Sequence, residues 1–204
     1  MEAIANVLEL IRQQLDSYFQ NVSRRSDDWV ILSNVFDNQG GFYGATDNKI
    51  VMFLANIAHE TVISTYTPAV RTGSGSYAAV PPPLYIDLFV LFYANFSNAN
   101  YVQGLRSISR TISYFQQNPA ITRDTTPGLD PAVDKILMEF TNLDMINSNY
   151  LMGMMGVKYL PSVFYKLRMI PFVSSAMQAA IPAAQGVQAP GQPAPLPPSA
   201  ERTA

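Results

Sequence analysis

Residues 83–96 constrain the fold of this chain more than any other part of the sequence. One set of alternate positions is apolar throughout: Leu84, Ile86, Leu88, Val90, Phe92, Ala94 and Phe96. The other set is mainly aromatic and aliphatic but includes Asp87. Because side chains alternate between the two faces of a strand, this pattern predicts a long strand with one face buried and the other half covered. The stretch is too short for a membrane-spanning helix, which needs about 20 apolar residues. We expect it to form the central strand of a sheet.

The segments around this strand predict an α+β domain. Helices are expected at residues 2–21, 99–117 and 144–156, and further strands at residues 29–32, 49–60, 120–123, 133–141 and 163–170. In the second helix the apolar residues are expected to face the sheet: Tyr101, Val102, Leu105, Ile108, Ile112 and Phe115. This order of elements predicts a mainly antiparallel or mixed sheet packed with about three helices.

Two segments lack such periodicity. Residues 67–83 are rich in Gly, Ser and Pro and predict a long loop, of the kind that is usually functional or disordered. From residue 181 onward prolines stand among Ala, Gln and Gly, a composition that cannot form a core. We therefore expect one domain at residues 1–180, followed by a disordered or extended, polyproline-like arm at residues 181–204.

Composition and charge argue against several classes of function. Charged residues make up 14% of the 204-residue chain, against a typical ~25%, as expected of a subunit that hides surface in a permanent assembly. The net charge of −2 and the pI near 5.3 do not indicate the basic surface that binds nucleic acid or an anionic membrane. The first residues form an acidic amphipathic pattern, unlike a secretory signal.

No catalytic or metal-binding constellation emerges from the sequence. The chain has no cysteine, and His59 is its one histidine. Its neighbour Glu60 would lie on the opposite face of a strand, so the two side chains could not act on one site. The aspartates are spaced as helix caps and turns, not as a paired-carboxylate site. We expect no enzymatic activity, no cofactor and no metal site.

Five residues are candidates for a protein interface. Arg71 and Tyr77 lie in the predicted loop, and Asp87, Lys166 and Arg168 lie on the polar side of the predicted sheet. Two cations in one strand of a charge-poor protein favour an acidic partner. The methionines at positions 145, 152, 154, 155 and 169 fit either adaptable core packing or a malleable interface.

Four segments of the second half occur in a recognisable order: residues 82–96, 113–117, 135–143 and 156–169, the last reading GVKYLPSVFYKLRM. Together with the first helix and the Leu32-Ser33-Asn34 segment, they resemble the tail-terminator, or cap, family of phage-tail-like contractile injection systems. The most specific part of the resemblance is the run KYLPSVFYKLR.

The resemblance implies a tail-terminator-like, ring-forming fold without catalytic residues. Members of this family are thought to form a sixfold ring that closes the distal end of the inner tube and the contractile sheath. The implied partners are further copies of the chain in a homo-hexamer and the tube and sheath proteins, with no nucleic acid and no direct membrane insertion. The implied location is the bacterial cytoplasm, where the particle assembles before it is released or anchored to a membrane.

Three alternative functions stay open at this point. The first is a phage tail-completion protein that joins the tail to the head. The second is a peptide-binding module outside any particle, with the proline-rich arm as a ligand for aromatic grooves. The third is an enzyme of unknown type.

Overall fold

A computed structural model of the chain describes residues 3–24, 26–34, 43–61, 69–71, 77–79, 84–131, 133, 135–157, 159–172 and 179–181. In chain order the elements are α1 (Ala3–Ser23), β1 (Val30–Leu32), β2 (Lys49–His59), β3 (Ala69–Arg71), β4 (Tyr77–Ala79), β5 (Leu84–Asn95), α2 (Tyr101–Gln117), β6 (Ala120–Thr122), β7 (Lys135–Phe140), α3 (Met145–Met154), β8 (Ser162–Phe172) and β9 (Ala179–Ile181). These elements form two units. The larger unit holds the three helices and a six-stranded sheet, and the smaller one holds β3, β4 and β9.

Strand β5 lies inside the six-stranded sheet, whose order is β1-β2-β5-β8-β7-β6. It pairs antiparallel with β2 on one side and with β8 on the other, each along most of its length. The pairing of β1 with β2 is parallel, and the other described pairings are antiparallel. The predicted central strand and the α+β class with a mainly antiparallel, mixed sheet are thus confirmed.

The first face of the sheet is closed by α1 and α2. Leu88, Val90 and Phe92 of β5 are fully buried on this face. Helix α1 covers them with a row of buried residues at helical spacing: Ala3, Val7, Leu8, Ile11, Leu15 and Phe19. Burial of one such aliphatic or aromatic side chain stabilises the fold by roughly 1.5–3 kcal/mol. The larger of the two buried clusters lies on this face, so it contains most of the core.

A buried carboxylate ties α1 to the first strand. The backbone amides of Trp29 and Val30 donate hydrogen bonds to Oδ1 of Asp16 at 2.7 and 3.0 Å. The amide of Gln20 donates to Oδ2 of Asp16 at 2.9 Å. Asp16 therefore satisfies two backbone donors where the chain enters β1, in a place from which water is excluded.

Helix α2 buries a different side from the one that its apolar pattern predicts. Its buried residues are Gly104, Ser107, Ile108, Thr111 and Phe115. The prediction that Tyr101, Val102, Leu105 and Ile112 face the sheet is wrong, because all four are exposed. The cause is close approach: a Cβ added to Gly104 would lie only 3.2 Å from the side chain of Phe96. The small side of the helix packs inward, and much of the apolar side is left outside.

The second face of the sheet is covered in part. Val51, Leu91 and Tyr93 are buried on this face in one cluster with Met152 and Met155, which lie at the C-terminal end of α3. The hydroxyl of Tyr93 has no hydrogen-bond partner among the described residues, and burial raises its pKa. Where sequence predicts half coverage, the middle of β5 is therefore buried on both faces.

The smaller unit corrects the prediction of one long loop at residues 67–83. Strands β3 and β4 pair antiparallel, with Arg71 opposite Tyr77, and β9 pairs with the other edge of β4. Strands of three residues set among Gly and Ser show too few alternations to be predicted from sequence. Strand β9 also spans the expected boundary at residues 180 and 181. The rest of the expected arm, residues 182–204, lies outside the described residues.

The orientation of α2 gives a prediction with a built-in control. Ile108→Ala should lower the free energy of unfolding by about 2–4 kcal/mol, because a buried side chain is removed. Ile112→Ala, on the exposed side, should change it by less than about 0.5 kcal/mol. Urea denaturation of both variants measures the difference, and equal losses would contradict the observed orientation of the helix.

The pairing of β9 with β4 predicts where the chain can be shortened. A chain that ends at residue 183 should keep its melting temperature within about 2–4 °C, because the composition of the removed segment predicts that it forms no core. A chain that ends at residue 177 also loses β9, which leaves β3 and β4 as a two-stranded hairpin that is marginally stable alone. Limited proteolysis between residues 69 and 79 should then be faster in the shorter chain only. Equal cleavage of both chains would show that β9 does not support the hairpin.

Candidate functional site

Several large apolar side chains are exposed on and next to α3. We call five of them the α3 patch: Met145, Ile146, Tyr150, Met154 and Tyr159. Met145 is 90% exposed and Tyr150 is 70% exposed. Contiguous apolar surface of this kind on a folded unit marks an interaction site more often than chance exposure.

Local sequence explains why α3 forms although it is exposed. Asp144 caps the N-terminus, since the backbone amide of Asn147 donates to its carboxylate at 2.7 Å. At the other end Gly156 adopts a positive φ of 69°, and the amide of Val157 donates to the carbonyl of Met152 at 3.1 Å. Apolar residues stand on every side of the helix, with Asn147, Ser148 and Asn149 between them. Among the described residues its Met152 side is buried, and the exposed apolar side chains are candidates for contact with another protein.

A groove of about 740 Å³ adjoins α3. Its lining is mainly apolar and aromatic, with amide and hydroxyl groups between: Phe140, Thr141, Asn142, Leu143, Met145, Ser148, Asn149, Met152, Gly153, Val157, Tyr159, Ser162, Val163 and Phe164. The volume lies within the range of about 300–1,000 Å³ that is usual for small-molecule and cofactor pockets. The groove and the α3 patch share Met145 and Tyr159, so the groove adjoins one side of the patch.

A second exposed apolar surface runs along α2 and is formed by the four residues that the prediction placed in the core. We call Tyr101, Val102, Leu105 and Ile112 the α2 stripe. Val102 is 60% exposed. The stripe and the α3 patch lie on opposite sides of the six-stranded sheet, because α2 packs on the first face and α3 on the second.

A network of ion pairs occupies the part of the second face that lies away from α3. Nζ of Lys166 is 2.9 Å from the carboxylate of Asp87 and also lies over the ring of Phe89. Arg168 contacts two carboxylates, Glu60 at 2.6 Å and Glu139 at 2.9 Å. Asp87 and Glu60 are buried, whereas the two cations and Glu139 keep contact with water.

Burial and charge act in opposite directions on Asp87. Removal from water raises the pKa of its carboxyl group, and the hydrogen bond and charge of Lys166 lower it in part. The hydrogen bonds that Arg168 donates to Glu60 and Glu139 raise the pKa of its guanidinium, so this cation stays charged. The network thus consists of two buried carboxylates, each held by one partly exposed cation.

The structure brings three of the five predicted contact residues together. Asp87, Lys166 and Arg168 lie in this network, and the acidic groups that face the two cations belong to the same chain. Arg71 and Tyr77 are paired in register in the hairpin of the smaller unit. Whether any of the five residues contacts another protein stays a prediction.

Sequence analysis missed the α2 stripe and the α3 patch. The methionines were the sequence feature that pointed to α3. In the structure Met152 and Met155 are buried, whereas Met145 and Met154 are exposed. Core packing thus applies to Met152 and Met155, and a malleable interface at Met145 and Met154 stays a prediction.

The described residues offer little for chemistry. His59 is exposed and Glu60 is buried, on opposite sides of the chain as expected. Among the described residues no group of three or more His, Asp or Glu side chains is placed to hold a metal ion. None of the helices in the described part of the chain has both the length and the apolar character to cross a membrane.

The ion-pair network predicts unequal effects for two changes at the same cation. Arg168→Leu removes the charge that neutralises buried Glu60 and should lower the free energy of unfolding by about 2 kcal/mol. This loss is below that of a fully buried pair, because Arg168 is partly in water. Glu139→Gln, at the exposed end, should cost less than about 0.5 kcal/mol. Chemical denaturation at neutral pH compares the two, and a larger loss for Glu139→Gln would refute the buried pair as the main contribution.

This fold is similar to two solved structures, a sheath/tube terminator and a tube-terminating cap. The sheath/tube terminator of PVC, an extracellular contractile injection system in the extended state, matches with a TM-score of 0.62 and 14% identity over 97% of this chain. The tube-terminating cap of the anti-feeding prophage matches with a TM-score of 0.60 and 14% identity over 94% of this chain. The match covers about 66% and 63% of those two chains, so this chain spans less than two thirds of their length.

No curated protein sequence gives a significant match to this chain. The family model described as the Pvc16 N-terminal domain does match, over residues 6–185. The resemblance to the terminators of contractile injection systems that was drawn from sequence is thereby confirmed. Since the matched segment covers most of the chain, this protein belongs to the Pvc16 N-terminal domain family.

Proposed function

We propose that this chain is a structural cap: a homo-hexameric ring that closes the distal end of the inner tube and contractile sheath of a phage-tail-like injection particle. The observation that carries the proposal is the exposed apolar surface of the α2 stripe and the α3 patch on a domain of this family. A stable helix with most of its apolar surface in water is expected only where another protein covers it.

The physical task of a cap fits this surface. A growing tube and sheath end in unpaired strand edges and apolar surface, which continue to recruit subunits. A terminator must match these groups on one side and offer nothing comparable on the other. A closed ring makes many such contacts at once, so contacts that are weak singly add up to a firm seal.

The proposed partners are further copies of the chain and the tube and sheath proteins, and the proposed role is structural, without catalysis. Assembly takes place in the bacterial cytoplasm, and the completed particle is then released or anchored to a membrane. The terminator described as capping both sheath and tube in the PVC particle supports the choice of these two partners.

Of the proposed contact residues, Lys166 and Arg168 are the best placed on the larger unit, because each keeps about a quarter of its side chain in water. Asp87 is buried and would act by holding Lys166 in position. In the smaller unit Arg71 and Tyr77 lie opposite each other at one end of the pairing between β3 and β4, and we propose that these two residues meet the particle.

Deletion of the gene in the producing bacterium tests the function. Tubes and sheaths should still polymerise, because assembly starts at the other end, but their distal ends should stay open. We expect sheaths of irregular length, prematurely contracted particles or few intact ones in electron micrographs. Complementation with the unchanged gene serves as the control and should restore uniform particles. Normal, extended particles of uniform length from the deletion strain would overturn the assignment as a cap.

A further inference from the structure

We propose that the exposed side of α2 docks on another protein of the particle, through a segment of that protein that carries carboxylates beside apolar side chains. The inference deepens the proposed function and rests on it for the particle itself. The chemistry of the docking segment follows from the charge, spacing and size of the exposed residues of α2.

The exposed side of α2 has two edges of different chemistry and a middle row of small residues. The α2 stripe lies toward one edge, and Arg106 and Arg110 lie along the other. Between them lie Ser109 and Ser113, both exposed. The hydroxyl of Ser109 donates to the carbonyl of Leu105 at 3.0 Å, so this side chain folds back on its own helix. The small middle row lets a partner approach the helix closely and contact the apolar and the cationic edge at once.

The two arginines of α2 carry charge that the described part of the chain does not neutralise. Arg106 and Arg110 are the only charged residues of α2 and stand four positions apart, a spacing at which like charges repel on a helix. Among the described residues, the ion pairs are made by other cations: Arg12, Lys166 and Arg168. An acidic partner is therefore favoured on α2, whereas the cations of β8 already have carboxylates of their own.

A cleft of about 300 Å³ adjoins the cationic edge, where α1 ends beside α2. Its lining includes Ser23 of α1 together with Gln103, Arg106 and Arg110 of α2. Nη1 of Arg110 donates to Oγ of Ser23 at 3.1 Å, which holds this cation at the cleft. Because a guanidinium has five N–H donors, both arginines can still bind the oxygens of a carboxylate. A carboxylate side chain can thus enter the cleft while its apolar neighbours contact the stripe.

A second copy of the chain fits this side of α2 less well than a different protein does. The α3 patch adjoins Asp144, whose carboxylate already accepts two hydrogen bonds from Asn147. Glu139 is already paired with Arg168. Nucleic acids and anionic membranes are bound through larger basic surfaces than two cations provide. The occupant that these observations favour is therefore a different protein, which supplies both the carboxylates and the apolar side chains.

Cross-linking can identify the carboxylate directly. Arg106→Lys keeps the charge and provides an amine, which a water-soluble carbodiimide joins to a carboxylate in contact with it. The full-length variant is added to tubes and sheaths from the deletion strain, and mass spectrometry identifies the linked peptides. We expect a new link to an Asp or Glu of the tube or sheath protein that has apolar neighbours. Asn6→Lys is the matched control, at an exposed position near the start of α1, and should not form this link.

A second measurement tests the contribution of charge to binding. Arg106→Gln should weaken binding to the same tubes and sheaths about tenfold and reduce its dependence on salt, because one pairing cation is lost. Leu105→Asp puts a carboxylate into the stripe, opposite those of the partner, and should also weaken binding about tenfold. Lys135→Gln removes an exposed cation of β7 and should leave binding unchanged. All three positions are exposed, so the melting temperature should not change and confirms that each variant is folded.

The outcomes separate this inference from the proposed function. The inference would be overturned if Arg106→Lys links to a second copy or gives no link to the tube or sheath protein. Equal binding of Arg106→Gln and the unchanged chain would also overturn it, as would Arg106-dependent binding to vesicles of phosphatidylglycerol and phosphatidylcholine. In each case open particle ends in the deletion strain would leave the cap assignment intact. Conversely, the expected link together with normal, uniform particles from the deletion strain would overturn the cap assignment and keep the contact.

Discussion

The larger unit depends on the pairing of β5 with a strand on each side. Because β2 and β8 satisfy its backbone along most of its length, β5 cannot lie at an edge, and both of its faces require a covering layer. The first face receives two long helices. In the described part of the chain, the end of α3 covers the second face over Leu91 and Tyr93. On the same face the cations Lys166 and Arg168 stay partly exposed, where a partner can reach them.

The strands could be predicted because their signal is local, but the buried side of α2 could not. Alternation within β5 places Leu88, Val90 and Phe92 on one face whatever lies nearby. A helix, by contrast, buries the side that allows the closest approach to its neighbours. In α2 that side carries Gly104, which leaves no room for a Cβ beside Phe96. The side of a helix that carries most of its apolar residues does not reveal where such a close approach is possible.

The candidate site was harder to predict because it depends on residues far apart in sequence. The two cations in β8 were expected to face an acidic partner, and no local pattern identifies Glu60, 108 positions from Arg168, as a carboxylate of the same chain that pairs with one of them. The α3 patch has a different difficulty. Met152 is buried and Met154 is exposed, and two residues of one type in one short helix carry no sign of which faces the sheet.

The ion-pair network also limits the kind of surface that can cover it. Lys166 and Arg168 are already neutralised within the chain, so a partner that adds a carboxylate would place it near Glu60, Asp87 or Glu139. Repulsion between like charges would oppose such a contact.

An uncharged or apolar cover would remove water from pairs that already exist and strengthen them, since the attraction between two charges grows as the local dielectric constant falls. The cost of desolvating Asp87 and Glu60 has already been met by folding, so only the exposed ends of the two cations remain to be covered. The geometry therefore favours an apolar or polar uncharged surface over the acidic partner that the sequence suggests.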